Sequence, residues 1–502
     1  MTKALDLLDI QGNVIRAYGR YSFPVARYIF LRINQGDSGR AFVGAVTKKV
    51  TTSVNWGQGP DPIEKPKAAV NIAFTFDGLE ALELPQASLI GFPSEFVMGM
   101  KKRKDILGDN GPSAPEHWDP IWRGEPVHVL VGIDGQRPEY IEQSTAWLLA
   151  LVAASEGGVS LLTGHRGENG AEDLPYQDSK IVMEDGKPTS KEHFGYTDGI
   201  GDPVFEGLPG PMDRVLGRGK QVSNGGWEPL ATGEFILGHM DEAREYPAAP
   251  RPLLLSRNGT FMVYRKLHEN VGTFNAFLEK EAQHFPGGKD LLAAKFVGRW
   301  MDNGAPLASA PDVESKKAWD ARFAQATAKE QDRMLSDFTY DDDMSGAKCP
   351  FSAHLRRINP RAALETVKDA FDTPGALSNR RRILRRGLPY GDVRDRTRDD
   401  GNHGIIIMML NADINRQFEF VQQQWINYGN DFRAGNDKEI MLGNHDKEYP
   451  SRAVLPVDPD SDQAPYFVRN IPRLVETRGG DYFFIPSMTA LRMIAAGVVD
   501  PT

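Results

Sequence analysis

The sequence predicts an α+β protein made of two ferredoxin-like units, each of order β-α-β-β-α-β with an antiparallel sheet and helices on one face. Apolar residues that alternate, helical stretches set between them, and a return of the same grammar after a Gly/Pro-rich passage lead to that reading. In VNIAFTF, Val70, Ile72, Phe74 and Phe76 alternate with Asn71, Ala73 and Thr75, the period of a half-buried strand. VARYIFLRI from Val25 and PVHVLVGI from Pro126 read the same way. IEQSTAWLLALVAA from Ile141 reads as a helix that stops at Gly157-Gly158, and GVSLLTG supplies a further strand.

The passage GLPGPMDRVLGRGKQVSNGGW marks a boundary and divides the chain into domains 1–225 and 226–502. Beyond it GTFMVYRKL from Gly259 reads as a strand, and Val271, Phe274, Phe277 and Leu278 share one helical face. Far downstream, GIIIMML from Gly404 reads as a buried strand. Ile414, Phe418, Val421 and Trp425 form one side of a following helix, and DYFFIP from Asp481 leads into SMTALRMIAAG. The second unit therefore carries a long insertion between its first helix and the strand at Gly404. Connections of that length are often functional.

A chain of 502 residues, 40% hydrophobic and 25% charged, has room for two large cores. Its net charge of −9 argues against nucleic acid or an anionic membrane as partner, since both require a basic face. Cys349 is the sole cysteine and forms neither an internal disulfide nor a thiolate cage, so any metal must use histidine, carboxylate or a cofactor. No segment approaches the roughly 20 apolar residues that cross a bilayer. The opening residues carry no export signal, which makes the cytoplasm the expected location.

Three segments hold residues suited to chemistry. CPFSAHLRRINPR places His354 after a proline-marked turn, with Arg356, Arg357 and Arg361 trailing it. Imidazole is a haem-iron ligand, and arginines pair with propionates, although any single histidine is more often a core or surface residue. RRRILRRGLPYG sets a cationic cluster beside a Gly-Leu-Pro-Tyr-Gly turn. Such a cluster is a solvated face unless one guanidinium turns into a dry pocket, where it stabilises developing negative charge. In HFGYTDGIGDPVFEG, Gly195 and Gly199 bracket Asp198, a pattern of tight turns that also fixes a carboxylate for proton transfer.

Four of these segments together, GYTDG, CPFSAHLRRINPR, RRGLPYG and the C-terminal GGDYFFIPS, resemble dye-decolorising peroxidases, with weaker likenesses in LLDIQGNVI and VGRWMDNGAPL. The resemblance implies a haem b enzyme, the cofactor held mainly by the C-terminal domain. Its reaction is reduction of hydrogen peroxide through a ferryl intermediate, at the expense of dyes, phenols or similar one-electron donors. It makes His354 the proximal ligand, Asp198 the distal acid/base, Arg385 the distal cation in preference to Arg386, and Arg361 a propionate contact. Ile405 and Ile407 map to the apolar cover of the distal face, Ile407 replacing an aromatic. Asp437 is the candidate carboxylate behind His354, and His193 and His403 are the next candidates for ligand. Bulky donors are expected to stay outside a pocket built for peroxide, with Tyr390, Trp425 and Tyr428 as candidate surface relays. A homo-oligomer is compatible with the chain. Two other readings, a haem-handling protein and a chlorite-dismutase-like enzyme, leave at least one of the three motifs idle.

Overall fold

A computed structural model of the chain describes residues 4–20, 23–57, 63–210, 212–365, 373–457 and 463–498. In the first half, strand β1 (Val25–Ile33) is followed by helix α1 (Gly36–Thr47) and strand β2 (Ala68–Phe74), then by β3 (Val129–Gly135), helix α2 (Pro138–Ala154) and β4 (Val159–Leu161). That is the expected β-α-β-β-α-β order. β3 lies antiparallel between β1 and β2, with Ile29 opposite Val131 and Ile72 opposite the same residue on the far side. A short extra strand, β5 (Gln177–Lys180), shares the outer edge of β1 with β4.

The second half repeats the pattern with β6 (Thr260–Glu269), helix α3 (Val271–Ala282), the insertion that contains α4 (His354–Ile358), then β7 (Leu384–Tyr390) and β8 (Gly404–Asn411). Two widened π-helical stretches, Asn415–Glu419 and Val421–Ile426, take the place of the second helix, before β9 (Val475–Ile485) and α5 (Met488–Ala496). The two sheets are not separate. They join where β9 meets β2, at Phe484 opposite Phe74, into one nine-stranded sheet of order β7-β8-β6-β9-β2-β3-β1-β4, with β5 also on β1. Lys180 of β5 reaches Asp392, just past β7, at 2.7 Å, so the two ends of this sheet come together. A single apolar core runs through both halves, from Ile29 and Val131 to Phe261, Phe484 and Leu491.

One reading of the sequence needs correction. RRGLPYG is not a turn; Leu384–Tyr390 is the edge strand that completes the second unit. Arginine, glycine and proline obscure a strand pattern, but an edge strand tolerates a proline that cannot donate to a ladder. Gly387 explains the rest: its φ is +125°, and a Cβ there would stand 1.9 Å from the carbonyl oxygen of Ile406 on β8. Only glycine allows this approach.

Gly387→Ala should therefore lower unfolding stability by about 1–3 kcal/mol or more, the cost of one strained backbone position with its clash. Denaturant unfolding measures it; an unchanged midpoint would mean that β7 is not held against β8 at this point.

Candidate functional site

Arg385 and Arg386 are neighbours on β7, and successive side chains of a strand point to opposite faces. Arg386 turns towards the N-terminal segment, donating to the carbonyls of Asn13 at 2.7 Å and Val14 at 2.9 Å and to Asp202 at 2.8 Å. Arg385 turns the other way. Its guanidinium donates to Asp198 Oδ1 at 3.3 Å and to the Ile200 carbonyl at 3.0 Å, while its backbone N–H donates to Asp202 Oδ1 at 3.3 Å. Asp198 is presented by a loop whose flanking glycines hold φ of +111° (Gly195) and +74° (Gly199), and its N–H donates to the Ser190 carbonyl at 2.8 Å. Of the cations in the RRRILRRG cluster, Arg385 is thus the one brought to Asp198.

Arg385 and Ile407 are shared by two adjoining cavities. The inner one has a volume of about 180 Å³ and is lined by His354, Leu355, Ile358 and Arg361 of the insertion together with Ile407, Met409, Phe418 and Val421. The outer one is a wide cleft that reaches Asp198, Arg385 and Ile405 from a rim containing Arg16 and Trp56. Ile405 belongs to the cleft rather than to the inner cavity, so the expected pair of distal apolar residues is split, and Met409 joins Ile407 inside. The period of two in β8 already contained that signal: residues 405, 407 and 409 are half-buried while 406, 408 and 410 are buried in the core. The cleft also reaches Asp198 with more room than a pocket built for peroxide.

His354 opens α4 and faces the inner cavity with a quarter of its side chain exposed. Its Nδ1 has no hydrogen-bond partner and lies 3.6 Å from Glu439 Oε1. Glu439 is fully buried, and its carboxylate accepts N–H donors from Met441, at 2.8 Å, and Leu442. Burial alone would raise its pKa, but His354 and these amides outweigh burial and hold it below the usual value. The carboxylate behind His354 is therefore Glu439 and not Asp437, whose carboxylate is taken up by Arg452 at 3.2 Å. Nothing in the local sequence distinguishes the two, since the choice depends on how the chain from Ile426 returns past α4.

The arginines after His354 divide sharply. Arg356 is paired with Asp343 at 2.6 Å, and Arg357 donates to the carbonyls of Trp425 and Tyr428, each at 2.6 Å; both are buried structural clamps away from the cavity. Arg361 does line the cavity, in the left-handed conformation (φ 54°) and buried, yet its partners are only the carbonyls of Phe338 and Ser336, and its Nε has none. Arg299 and Arg382, not anticipated from the sequence, are in the same condition: Arg299 donates to the carbonyls of Gly304 and Leu335, and Arg382 to those of Gly219 and Arg218. Burial, with like charges adding to it, pushes Arg299 and Arg382 down to about 9 and burial pushes Arg361 to about 10. A cavity walled by buried cations without carboxylate partners calls for an anionic occupant. A haem fits these residues, with arginines for its two propionates, a histidine facing the cavity for its iron and apolar walls for the macrocycle.

The other candidates fall elsewhere. His193 and His403 pack against each other, ring centroids 5.5 Å apart, and line neither cavity. Tyr390 and Trp425 are each 1% exposed and so are not surface residues, whereas Tyr428 is 46% exposed. Among the described residues no helix is long and apolar enough to cross a membrane.

The chain and its fold resemble those of known proteins. A family described as "DyP dimeric alpha+beta barrel domain" matches residues 9–166. The chain is 25% identical over 510 residues to dye-decolorizing peroxidase msp1 of Mycetinis scorodonius, covering 98% of this chain and 88% of that protein. It is 29% identical over 458 residues to a dye-decolorizing peroxidase of Mycena epipterygia, covering 86% and 77%. A solved ancestral D-type dye-decolorizing peroxidase superposes with a TM-score of 0.74 at 24% identity, covering 98% of this chain and 99% of that one.

A depressed acid pKa contributes stability that is present above the unfolded value, about 4.3 for glutamate, and is lost as pH falls through the lower folded value. Glu439→Gln should thus weaken unfolding stability at neutral pH by about 1–3 kcal/mol and flatten its fall below about pH 4.3. Denaturant titrations at a series of pH values would show this, and a variant with the wild-type acid profile would remove the charge assigned to Glu439.

Proposed function

We propose that the chain, similar to dye-decolorising peroxidases over nearly its whole length, is a haem b peroxidase of that family whose proximal ligand is His354 and whose distal acid/base and cation are Asp198 and Arg385. It reduces hydrogen peroxide to water and oxidises dyes, phenols or similar one-electron donors. A solved relative carries 2,6-dimethoxyphenol, a donor of that class. The observation that supports the reading most is the Arg385–Asp198 pair at 3.3 Å, beside the cavity that His354 faces.

Haem, when bound, supplies the iron at which the peroxide O–O bond is cleaved and through which donors give up electrons singly. The protein's own residues do the rest. His354 would hold the iron through Nε2, with Nδ1 3.6 Å from the Glu439 carboxylate, which would keep the ring oriented and electron-rich. Arg361, Arg382 and Arg299 would hold the propionates, which would supply the counter-charge these buried guanidinium groups lack. Asp198, ionised, takes a proton from one peroxide oxygen and returns it to the other, so that water and not hydroxide leaves. Arg385 stabilises negative charge during that transfer and fixes Asp198 on the cavity side of its loop. Donors approach by the outer cleft or hand electrons to an exposed side chain, Tyr428 being the exposed one of the three considered. We further propose that the two building units are 1–225, which contributes Asp198, and 226–502, which contributes His354, Arg361, Arg385, Ile405 and Ile407.

His354→Ala should lose or loosen haem, read as the loss of its Soret absorption, because the protein's bond to iron is gone; full retention with an unchanged spectrum would put the ligand elsewhere. Arg385→Leu should slow the peroxide step in stopped flow by about 10²–10³-fold, near 2.7–4 kcal/mol. Arg386→Leu should leave that step close to wild type and lower unfolding stability instead, since its partners are structural. Equal slowing by both variants would contradict the facing assigned to β7.

A further inference from the structure

Behind Asp198 lie two buried glutamates that the mechanism above does not use, one from each half of the chain. Glu192 stands at the head of the loop that carries Asp198. Its carboxylate accepts the N–H of Phe194 at 2.6 Å and of Tyr196 at 2.8 Å, and its own N–H donates to the Tyr196 carbonyl at 3.1 Å. It is the hub around which residues 192–196 turn. Glu269 ends β6, the central strand of the second unit, and accepts the N–H of His193 at 3.2 Å. Glu269 thus takes the N–H of His193 while Glu192 takes those of Phe194 and Tyr196, which sets the two carboxyl groups side by side on one turn, within reach of a hydrogen bond to each other. Carboxylates offer only lone pairs, so a hydrogen bond between two of them requires that one carry a proton.

We propose that Glu192 and Glu269 share a single proton, and that this bridged pair is the positioning element for Asp198, tying its loop to β6. The inference rests on the role given to Asp198 above.

The surroundings of the pair favour the shared proton over a counter-ion. On its own loop it faces Asp198, which adds negative charge, the buried phenol of Tyr196, and His193, kept neutral because burial pushes its pKa down to about 4. From β7 it faces the buried phenol of Tyr390, and beyond β7 stands His403, whose pKa is also lowered by burial. The nearby cations are engaged elsewhere: Arg396 donates to the carbonyls of His193 at 2.9 Å and Phe194 at 3.4 Å, and Lys191 pairs with Glu184 at 3.1 Å. Neither glutamate has an ion-pair partner among the described residues. Burial, opposed by the amide donors and reinforced by Asp198, pushes Glu192 up to about 7, and burial with Glu192 beside it pushes Glu269 well above its ordinary value.

The sign follows. A raised acid pKa means that the folded state holds a proton the unfolded chain would release, so the latch is fully made below about pH 4.3, the unfolded value. Glu192 gives up its own proton near 7 and leaves the single proton on Glu269, whose pKa is raised well above its ordinary value, so the latch is lost only as pH rises through that of Glu269. Two charges on hydrogen-bonded carboxyls would then push the loop from β6 and carry Asp198 with it.

Glu269→Gln separates the shared proton from mere packing, because an amide N–H can donate to Glu192 at any pH, whereas Glu269→Ala offers no donor. Two measurements on the holoenzyme apply: the infrared band of a protonated carboxyl near neutral pH, and the pH dependence of the peroxide step in stopped flow. The expected result is a protonated-carboxyl band in wild type that is lost in Glu269→Gln. Wild-type peroxide activation should decline in the alkaline range as Glu269 gives up the shared proton, the glutamine variant should lack that alkaline fall, and the alanine variant should be slower by about 100-fold, as misplaced catalytic groups are. Absence of the band in wild type overturns the proposal, as does a glutamine variant as slow as the alanine one or one that keeps the alkaline fall. Should the alanine variant fail to fold, the band and the glutamine profile still decide. The band needs no turnover: its presence and loss as expected in a protein that never activates peroxide would reject the peroxidase reading and the positioning role with it.

Discussion

The seating of residues 198–202 on β7 is the constraint on which the site depends. Asp202 is bound twice to that strand, through the backbone N–H of Arg385 and the guanidinium of Arg386, and Ile200 and Asp198 complete the contact through the Arg385 side chain. The loop comes from the first unit and the strand from the second, so the contact joins the halves at the point where acid and cation must meet. It also depends on Gly387, because β7 keeps its place only if nothing stands between its backbone and Ile406. Strand alternation then assigns the two arginines their tasks, one to the cavity and one to the N-terminal segment. Exchanging those faces would need a one-residue slip of β7, which would expose Leu384 and Leu388 and bury charge.

The inner cavity carries a charge imbalance. Arg361, Arg299 and Arg382 are buried among carbonyl oxygens, which accept from their terminal N–H groups without neutralising them. Several buried cations elsewhere in the chain meet carboxylates, Arg356 with Asp343, Lys266 with Asp119 and Arg265 with Asp109, while Arg357, away from the cavity, meets carbonyls alone. The gathering of three carbonyl-held arginines on one cavity marks it as a seat for an anionic group. It also bears on stability, since an anion that binds the folded state alone stabilises it by mass action.

Much of this was legible in the sequence, for identifiable reasons. β1, β2, β3 and β6 announce themselves by alternation, and α2 and α3 by helical spacing. Asp198 is legible because glycines frame it, and His354 because it follows a proline turn and precedes arginines, with the family resemblance adding their roles. β7 was illegible as a strand: its arginines, glycine and proline read as a turn, and only its pairing with β8 and its edge position reveal it. Glu439 was missed because the carboxylate behind His354 comes from about eighty residues away, chosen by tertiary packing over its near neighbour Asp437. Arg299 and Arg382 were illegible for a related reason, since the unpaired state of a buried arginine depends on what the fold leaves out around it. The π-helical stretches 415–426, expected as an ordinary helix, still place Phe418 and Val421 on the cavity side and Trp425 in a separate cluster with Phe420 and Phe432.

The central claim is that this cavity seats a haem between His354 and the Asp198–Arg385 pair. Spectrophotometric titration of the purified protein with haem, followed by one equivalent of hydrogen peroxide, tests it most directly. The account predicts saturation at one haem per chain, with a Soret band that shifts and weakens promptly on adding peroxide and returns when a phenol is supplied. Failure to bind haem stoichiometrically, or a bound haem whose spectrum one equivalent of peroxide leaves unaltered, would contradict it.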